Sequence, residues 1–349
     1  MGLDIGTSGV RAAELSFGKD GVTLEKFGQV ALPPGAVRDG EVVDPETVAG
    51  AIKHLWSSAK FSTKKVVIGV ANQKVIVRQV DMPWLPESEL RQSLGFQAQD
   101  YIPFPVDQAI LDFHPVEEFV NDSGMRMVRI LLVAAVRDMV MGALDSAKKA
   151  GLTVNQVDLT PFAVVRAAAQ ADPMALHGDA EALVDIGSKV TNIVVHQNGT
   201  PRFVRVLLMG GDNVTEAVAE RMGVPMDHAE GVKQQMGLAT TPGVPDVDHP
   251  AARVIESTGA SLVEEIRGSL DYYLAQPSSA ALRRVTVSGG GARLGGLLNR
   301  LAMATRLPVT PAAPLSTMRM GKTGLSADQL SFVEPLVTVP VGLAMGVAS

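Results

Sequence analysis

Apolar and polar positions alternate along several short stretches, and each alternation closes on a turn containing glycine. Val10 to Phe17 and Val22 to Leu32 read as two strands joined by Gly18-Lys19-Asp20-Gly21. Thr191 to His196 and Phe203 to Met209 read the same way around Asn198-Gly199. A short apolar run ending in an aspartate precedes each pair: Leu3-Asp4-Ile5-Gly6-Thr7-Ser8 and Val184-Asp185-Ile186-Gly187-Ser188. The two aspartates are 181 residues apart (from Asp4 to Asp185), half the length of the chain. A strand-turn-strand-turn-strand unit therefore occurs twice, which predicts a duplicated domain.

Helical spacing follows each unit. Asp44-Pro45 predicts the start of a helix with Val48, Ile52 and Leu55 on one face. Asp212 is expected to cap a helix through Val214, Val218 and Met222, followed by a short helix from Met226 to Met236. Ile255, Leu262, Ile266, Leu270 and Tyr273 form a long helical stripe. Gly237 to Pro250, rich in Pro and Gly, reads as an exposed, mobile loop. Residues 72 to about 155 interrupt the first half with their own pattern. Val75–Val80 is a strand, and a helix runs from Pro86 to about Tyr101. Strands follow at Ala109–Val116 and Met127–Val136, then a helix capped by Asp138 and ended by Gly151. This β-α-β-β-α order predicts a small inserted α/β subdomain.

Composition narrows the picture. The 349 residues are 46% hydrophobic and only 4% aromatic, so the core must be aliphatic. A net charge of −6 argues against a general nucleic-acid partner, which needs a basic footprint. Without cysteine there are no disulfides, thiolate metal sites or thiol nucleophiles. The six histidines form no HxxxH pair, which argues against a dedicated histidine metal site. No apolar run reaches the ~18 residues of a membrane span, and no signal peptide pattern opens the sequence. A cytoplasmic location is therefore expected. The strand that delivers Asp4 has almost no residues before it, so either it is short or the start falls inside it.

Asp4-Ile5-Gly6-Thr7-Ser8-Gly9 puts a carboxylate at a strand end, followed by backbone N–H groups and two hydroxyls. Such a turn can cradle a phosphate while the carboxylate holds a Mg²⁺-bound water. Asp185, Gly187, Ser188 and Thr191 repeat that set, so two facing hairpins could grip phosphates from both sides. A third element, Val285 to Leu294, runs from a β-branched strand into Gly289-Gly290-Gly291. Glycines there would let a flat ligand approach the backbone. Its GxGxxxG spacing, with no acidic residue following, is a weak dinucleotide signal.

In this order the three elements resemble the phosphate-1, phosphate-2 and adenosine signatures of the actin/Hsp70/hexokinase superfamily. Gly210-Gly211-Asp212 resembles the Gly-Gly-Asp turn of its Hsp70 and bacterial-actin members. Ala229-Glu230-Gly231-Val232-Lys233 resembles their AExxK motif, although the spacing also suits an exposed helix with an i,i+3 ion pair. Within the superfamily the chain is similar to the PilM family of type IV pilus assembly proteins, relatives of FtsA. The segments that carry this are 3–15, 87–113, 157–167 and 339–346.

The resemblance implies an α/β, actin-like (ribonuclease H-like) fold of duplicated domains with a cleft. Subdomain 1A would comprise 1–71 with 156–180 and 337–349. The inserted 1C would be 72–155, 2A would be 181–215 with 254–336, and 2B would be 216–253. It also implies ATP and Mg²⁺. Asp4 and Asp185 would hold the metal through water, and Gly6, Thr7, Ser8, Arg11, Gly187, Ser188, Thr191, Gly210 and Gly211 would surround the phosphates. Glu230 and Lys233 would face the ribose, and Gly289, Gly290 and Gly291 the adenosine.

Two departures bear on catalysis. Arg11 stands where relatives place a lysine, and Thr160 precedes Pro161 where they place a glutamate. Asp158 is the nearest carboxylate, so Asp4, Asp158 and Asp185 are the catalytic candidates and weak or absent ATPase turnover is expected.

The implied role is an adaptor recruited to the inner membrane by the cytoplasmic tail of a PilN-like protein, alongside the assembly ATPase and PilO. Val75, Val77, Phe96 and Leu111 are candidates for its groove, although each also suits plain core. No direct membrane insertion is expected, because 342–349 carries no basic amphipathic face. Self-association belongs to the same resemblance. A filament-forming FtsA-like homologue and a small-molecule kinase of the superfamily are the alternatives.

Overall fold

The computed structural model describes residues 1–19, 21–169, 179–239, 243, 248–276 and 279–346. In the first half, β1 (Gly2–Ile5), β2 (Gly9–Gly18) and β3 (Gly21–Ala31) form an antiparallel meander. A small β4 (Val37–Arg38) and β5 (Glu41–Val42) hairpin leads to α1 (Pro45–Ala59) and β6 (Lys65–Val70). The insertion contributes β7 (Val75–Pro83), α2 (Glu87–Gln97), β8 (Ala109–Val120) and β9 (Arg126–Val136). Then follow α3 (Arg137–Lys149), β10 (Thr153–Leu159) and α4 (Thr160–Ala168).

The second half repeats the plan. β11 (Ala180–Ile186), β12 (Thr191–Gln197) and β13 (Thr200–Leu207) form the meander. Helices α5 (Gly211–Met222), α6 (Met226–Met236) and α7 (Pro250–Leu274) precede β14 (Leu282–Ser288). After α8 (Leu297–Thr305) come β15 (Val309–Pro311), the two-residue β16 (Arg319–Met320) and the final helix α9 (Ala327–Met345).

The sheets are two copies of one topology. The first runs β10-β6-β1-β2-β3-β16 and the second β13-β12-β11-β14-β15. In each, the aspartate-bearing strand is central, pairing antiparallel with the next strand and parallel with the one that follows the helices. The duplication read from the sequence is this repeated sheet. A central strand covered on both faces must be apolar throughout, and every residue of β11 is buried. Its alternation divides the burial: Ala182, Val184 and Ile186 face the core under α5 and α7, while Leu183 faces α4.

The layer between the sheets is α4 with α9. One cluster joins Val67 of the first sheet, Ala163 and Val164 of α4, Leu183 and Val194 of the second sheet, and Val339 and Leu343 of α9. The helices approach so closely at Gly342 that a Cβ there would run into the Ala163 carbonyl oxygen. Arg166 fastens the same contact, donating from Nε to the Gly342 carbonyl at 2.9 Å.

The insertion has the β-α-β-β order expected and folds as an antiparallel sheet, β7-β9-β8, under α2. Sequence spacing places α3 with it, but Ala143 and Ala147 of α3 pack into the first-half core beside Val48 and Ile52. Of the expected groove residues, Val75 is buried, Val77 and Leu111 are half-buried against core, and Phe96 is exposed. Asp44 caps α1 as expected, accepting from the Glu46 and Thr47 amides at 3.1 Å each. Asp138 and Asp212 do not cap their helices. Val136 and Gly210 hold the cap positions, and both aspartates sit inside the first turn. At α5 the reason is steric: extended Gly210 lets the helix tip close on the 187–188 turn. Half of the expected mobile loop at 237–250, namely 240–242 and 244–247, lies outside the described residues.

Because the α4–α9 contact leaves no room for one methyl group, Gly342→Ala is expected to destabilise the fold by about 2–3 kcal/mol. Urea unfolding of both chains measures it. A change within ~0.5 kcal/mol, as for an ordinary surface position, would contradict the packing described.

Candidate functional site

The two meanders face each other across a cavity of about 690 Å³, a volume suited to a cofactor-sized ligand. Asp4 at the end of β1 and Asp185 at the end of β11 look into it from opposite halves. Each strand end turns tightly into its partner: the Gly6 amide donates to the Gly9 carbonyl at 3.0 Å, and the Gly187 amide to the Val190 carbonyl at 2.9 Å. Those two donors are therefore used in closing the turns. Thr7, Ser8 and Ser188 of these turns line the cavity without using their amides to close the turns. The second turn is braced from behind, with the Gly211 and Asp212 amides of α5 donating to the Gly187 and Ser188 carbonyls at 2.9 and 2.8 Å.

The electrostatics of the cavity are set by desolvation. Burial pushes the Asp4 carboxyl up to about 6; Arg11 opposes the shift and the charge of Asp185 adds to it. Arg11 Nη1 lies 3.5 Å from Asp4 Oδ2, and its Nη2 lies 3.3 Å from Ser8 Oγ. Burial also raises Asp185, against hydrogen bonds from Ser288 and Asn192. Ser288 Oγ is the donor at 2.8 Å. Arg11 Nε, Ser188 Oγ and Asn192 Oδ1 are buried with no hydrogen-bond partner among the described residues. All three residues line the cavity.

Most of the residues singled out from the sequence line this cavity: Asp4, Gly6, Thr7, Ser8, Arg11, Asp185, Gly187, Ser188, Gly211, Glu230, Lys233 and Gly289 to Gly291. Three are not brought there. Strand alternation points Thr191 the other way from Asn192, and its hydroxyl donates to the Met209 carbonyl at 2.7 Å. Gly210 sits behind the turn as the cap of α5. Asp158 is ion-paired with Arg166 and accepts from the Leu159 amide, so it is committed to the α4–α9 junction. In its place at the cavity is the hydroxyl of Thr160.

The glycine run lines the cavity and also packs closely against β11. Gly289 has φ +85°, a left-handed conformation, and side chains at Gly289 or Gly291 would collide with Ile186 of β11. Lys233 is buried rather than exposed, and its Nζ lies 2.6 Å from Glu230, 2.8 Å from Thr215 Oγ1 and 3.2 Å from the Gly211 carbonyl. It ties α6 to α5 at the cavity edge.

Sequence reading missed Asn192, Thr215, Arg293 and Phe332, all of which line the cavity. Asn192 had a signal: the spacing that relates Asp4 to Asp185 also relates Arg11 to Asn192. Arg293 stacks 3.9 Å over the Phe332 ring, joining the second half to α9, a pairing that sequence spacing does not contain.

Among the described residues no three His, Asp or Glu side chains converge to hold a metal ion directly. The oxygens present, from Asp4, Asp185, Asn192 and Ser188, are hard ligands and acceptors. They suit Mg²⁺ held through its own waters.

A family model described as type IV pilus assembly protein PilM matches residues 2–347. The solved PilM–PilN type IV pilus biogenesis complex is 28% identical, with a TM-score of 0.85, covering 100% of this chain and 98% of that one. Cell division protein FtsA of Bacillus subtilis is 26% identical over 261 residues, 68% of this chain; the match spans 58% of that relative's length. MreB5 of Spiroplasma citri, solved bound to ADP, shares the fold at 13% identity and TM-score 0.52, covering 99% of this chain and 94% of that one.

The raised carboxyl of Asp4 sets a pH dependence of stability. A carboxyl held above its unfolded value of 3.8 stabilises the fold in its protonated form, and that contribution is lost as pH climbs from about 4 through about 6. In EDTA, the stability of the native chain relative to Asp4→Asn is therefore expected to fall across that window. Denaturant midpoints of both chains from pH 4 to 7 measure it. Parallel profiles would show that Asp4 titrates normally.

Proposed function

This chain belongs to the PilM family of type IV pilus assembly proteins, and on that premise we propose that it is an ATP-binding adaptor of pilus, or related secretion-system, assembly. The observation that carries the reading is the cavity between the two aspartate-bearing hairpins, lined by Asp4, Thr7, Ser8, Arg11, Asp185 and Ser188. The amides and hydroxyls of Thr7, Ser8 and Ser188 would hold phosphate oxygens, and Arg11 would add charge from the first half. Glu230, positioned by Lys233 and Thr215, would meet the ribose. The cavity carboxylates would hold Mg²⁺ through its waters, where it would supply charge neutralisation for phosphates.

The adaptor role follows from what the site lacks. Thr160 presents a hydroxyl where an attacking water would need a base, and Asp158 is engaged by Arg166. A hydroxyl does not accept a proton at neutral pH, so bound ATP would persist and act as a clamp between the halves. The partner is a PilN-like inner-membrane protein, whose cytoplasmic tail would bring the chain to the membrane. The assembly ATPase and PilO would belong to the same complex. Among the described residues no helix is long and apolar enough to cross a membrane, consistent with a location borrowed from the partner.

The double variant Asp4→Ala, Asp185→Ala is expected to lose at least roughly tenfold in ATP affinity by calorimetric titration. Unchanged affinity would refute the site. Turnover of the native chain should stay well below ~1 s⁻¹, the low end of ordinary enzymes. A PilN-like tail peptide should change ATP affinity by the same factor as ATP changes peptide affinity. Independent binding of the two would leave a passive scaffold.

A further inference from the structure

The second half contains a buried ion pair set back from the cavity. Glu256 of α7 and Arg300 of α8 are 5% and 8% exposed. They meet as a two-point fork, Nη1 to Oε1 at 2.6 Å and Nη2 to Oε2 at 2.9 Å. The same carboxylate accepts from the Gly243 amide at 2.8 Å and the Ala239 amide at 3.3 Å. Arg300 Nη2 also donates to the Ala239 carbonyl at 3.1 Å. The pair thus anchors the chain where it leaves α6. Neither side chain lines the cavity.

The fit between that anchor and α6 is tight. The Gly237 amide donates to the Lys233 carbonyl at 3.0 Å, and the Leu238 amide to the Gly295 carbonyl at 2.7 Å. Gly237 has φ +64°, and a side chain there would run into the Gly295 backbone. The Leu238 side chain fills the place that a Cβ on Gly259 of α7 would take. These contacts join two segments that both line the cavity: α6 with Glu230, Lys233 and Gln234, and residues 290–294 with Gly291, Arg293 and Leu294.

Burying two charges carries a desolvation cost that an apolar pair of similar size avoids, so such a pair is a poor source of stability. What a bidentate fork supplies is fixed geometry. We propose that Glu256 and Arg300 are positioning residues: they fix the spacing between α6 and residues 290–294, and so the fit of the nucleoside part of the ligand. This rests on the nucleotide-binding reading above. The pair acts through Leu238 and Gly295 and touches no ligand. ATP and GTP differ only in the base, so a change of spacing alters their affinity ratio, whereas a loss of stability alone weakens both alike.

The test compares four full-length chains, each checked for folding by circular dichroism: native, the double variant Glu256→Leu with Arg300→Met, Glu256→Asp, and Leu270→Ala. The double variant removes both charges together, because removing one leaves the other buried and unpaired. Leu270 is buried in the same core and serves as the control for lost stability. Affinities for ATP and GTP are measured by calorimetry with excess Mg²⁺, and amide hydrogen exchange over 226–239 is measured without ligand. The native chain is expected to prefer ATP. The double variant should lower the ATP-to-GTP affinity ratio roughly tenfold, and Glu256→Asp, one methylene too short to keep every contact, about threefold. Leu270→Ala should keep the ratio. Exchange over 226–239 should quicken in the double variant while β11 and β12 stay protected. A native chain without preference, a ratio unchanged in both Glu256 variants, or an equal fall in Leu270→Ala would each overturn the proposal. Should the double variant not fold, the ratio in Glu256→Asp decides. Should the native chain bind neither nucleotide, the nucleotide reading fails, and exchange alone decides the positioning: quickened over 226–239 with β11 and β12 protected supports it, and unchanged overturns it.

Discussion

The contact of α4 with α9 is the constraint on which the rest of the molecule depends. Both sheets bury one face against this pair of helices, so a single apolar cluster links Val67, Ala163, Leu183 and Leu343. A glycine at 342 allows the backbones to touch, and Arg166 closes the junction from the side. Were the helices farther apart, the two sheets would not present Asp4 and Asp185 to one cavity. The same junction claims Asp158, so a carboxylate near the candidate site contributes to packing rather than to chemistry.

A duplicated scaffold has divided its two copies. The backbone geometry of the hairpins is nearly the same, with matched turn hydrogen bonds of 3.0 and 2.9 Å. The side chains opposite the aspartates differ in charge, Arg11 in one copy and Asn192 in the other. The second turn is additionally braced by α5, whose first amides close on it. Symmetry of fold thus coexists with asymmetry of field, and ligand recognition responds to the field.

The cavity is lined by residues from both halves, and Asp158 is committed to Arg166 rather than to it. Thr160 lines the cavity between the halves, and the final helix reaches its mouth through Phe332 under Arg293. The insertion keeps its own core under α2 and is joined to the first half through β7, β9 and α3. A protein built this way can register an occupied cleft at a surface some distance away, provided the halves move as units.

By itself, the sequence determined the two related halves, the insertion and the identity of both hairpins. Hydrophobic period, turn glycines and a repeated aspartate are local signals that survive without tertiary context. Asn192 was equally available, because hairpin register follows from turn length and strand period once the first copy is aligned on the second. Tertiary structure alone decided the fates of Asp158 and Thr191. Whether a carboxylate meets a ligand or an arginine depends on which helix crosses beside it. Those contacts join successive elements, 8 residues apart for Asp158 and Arg166 and 18 for Thr191 and Met209, and core packing rather than periodicity sets them.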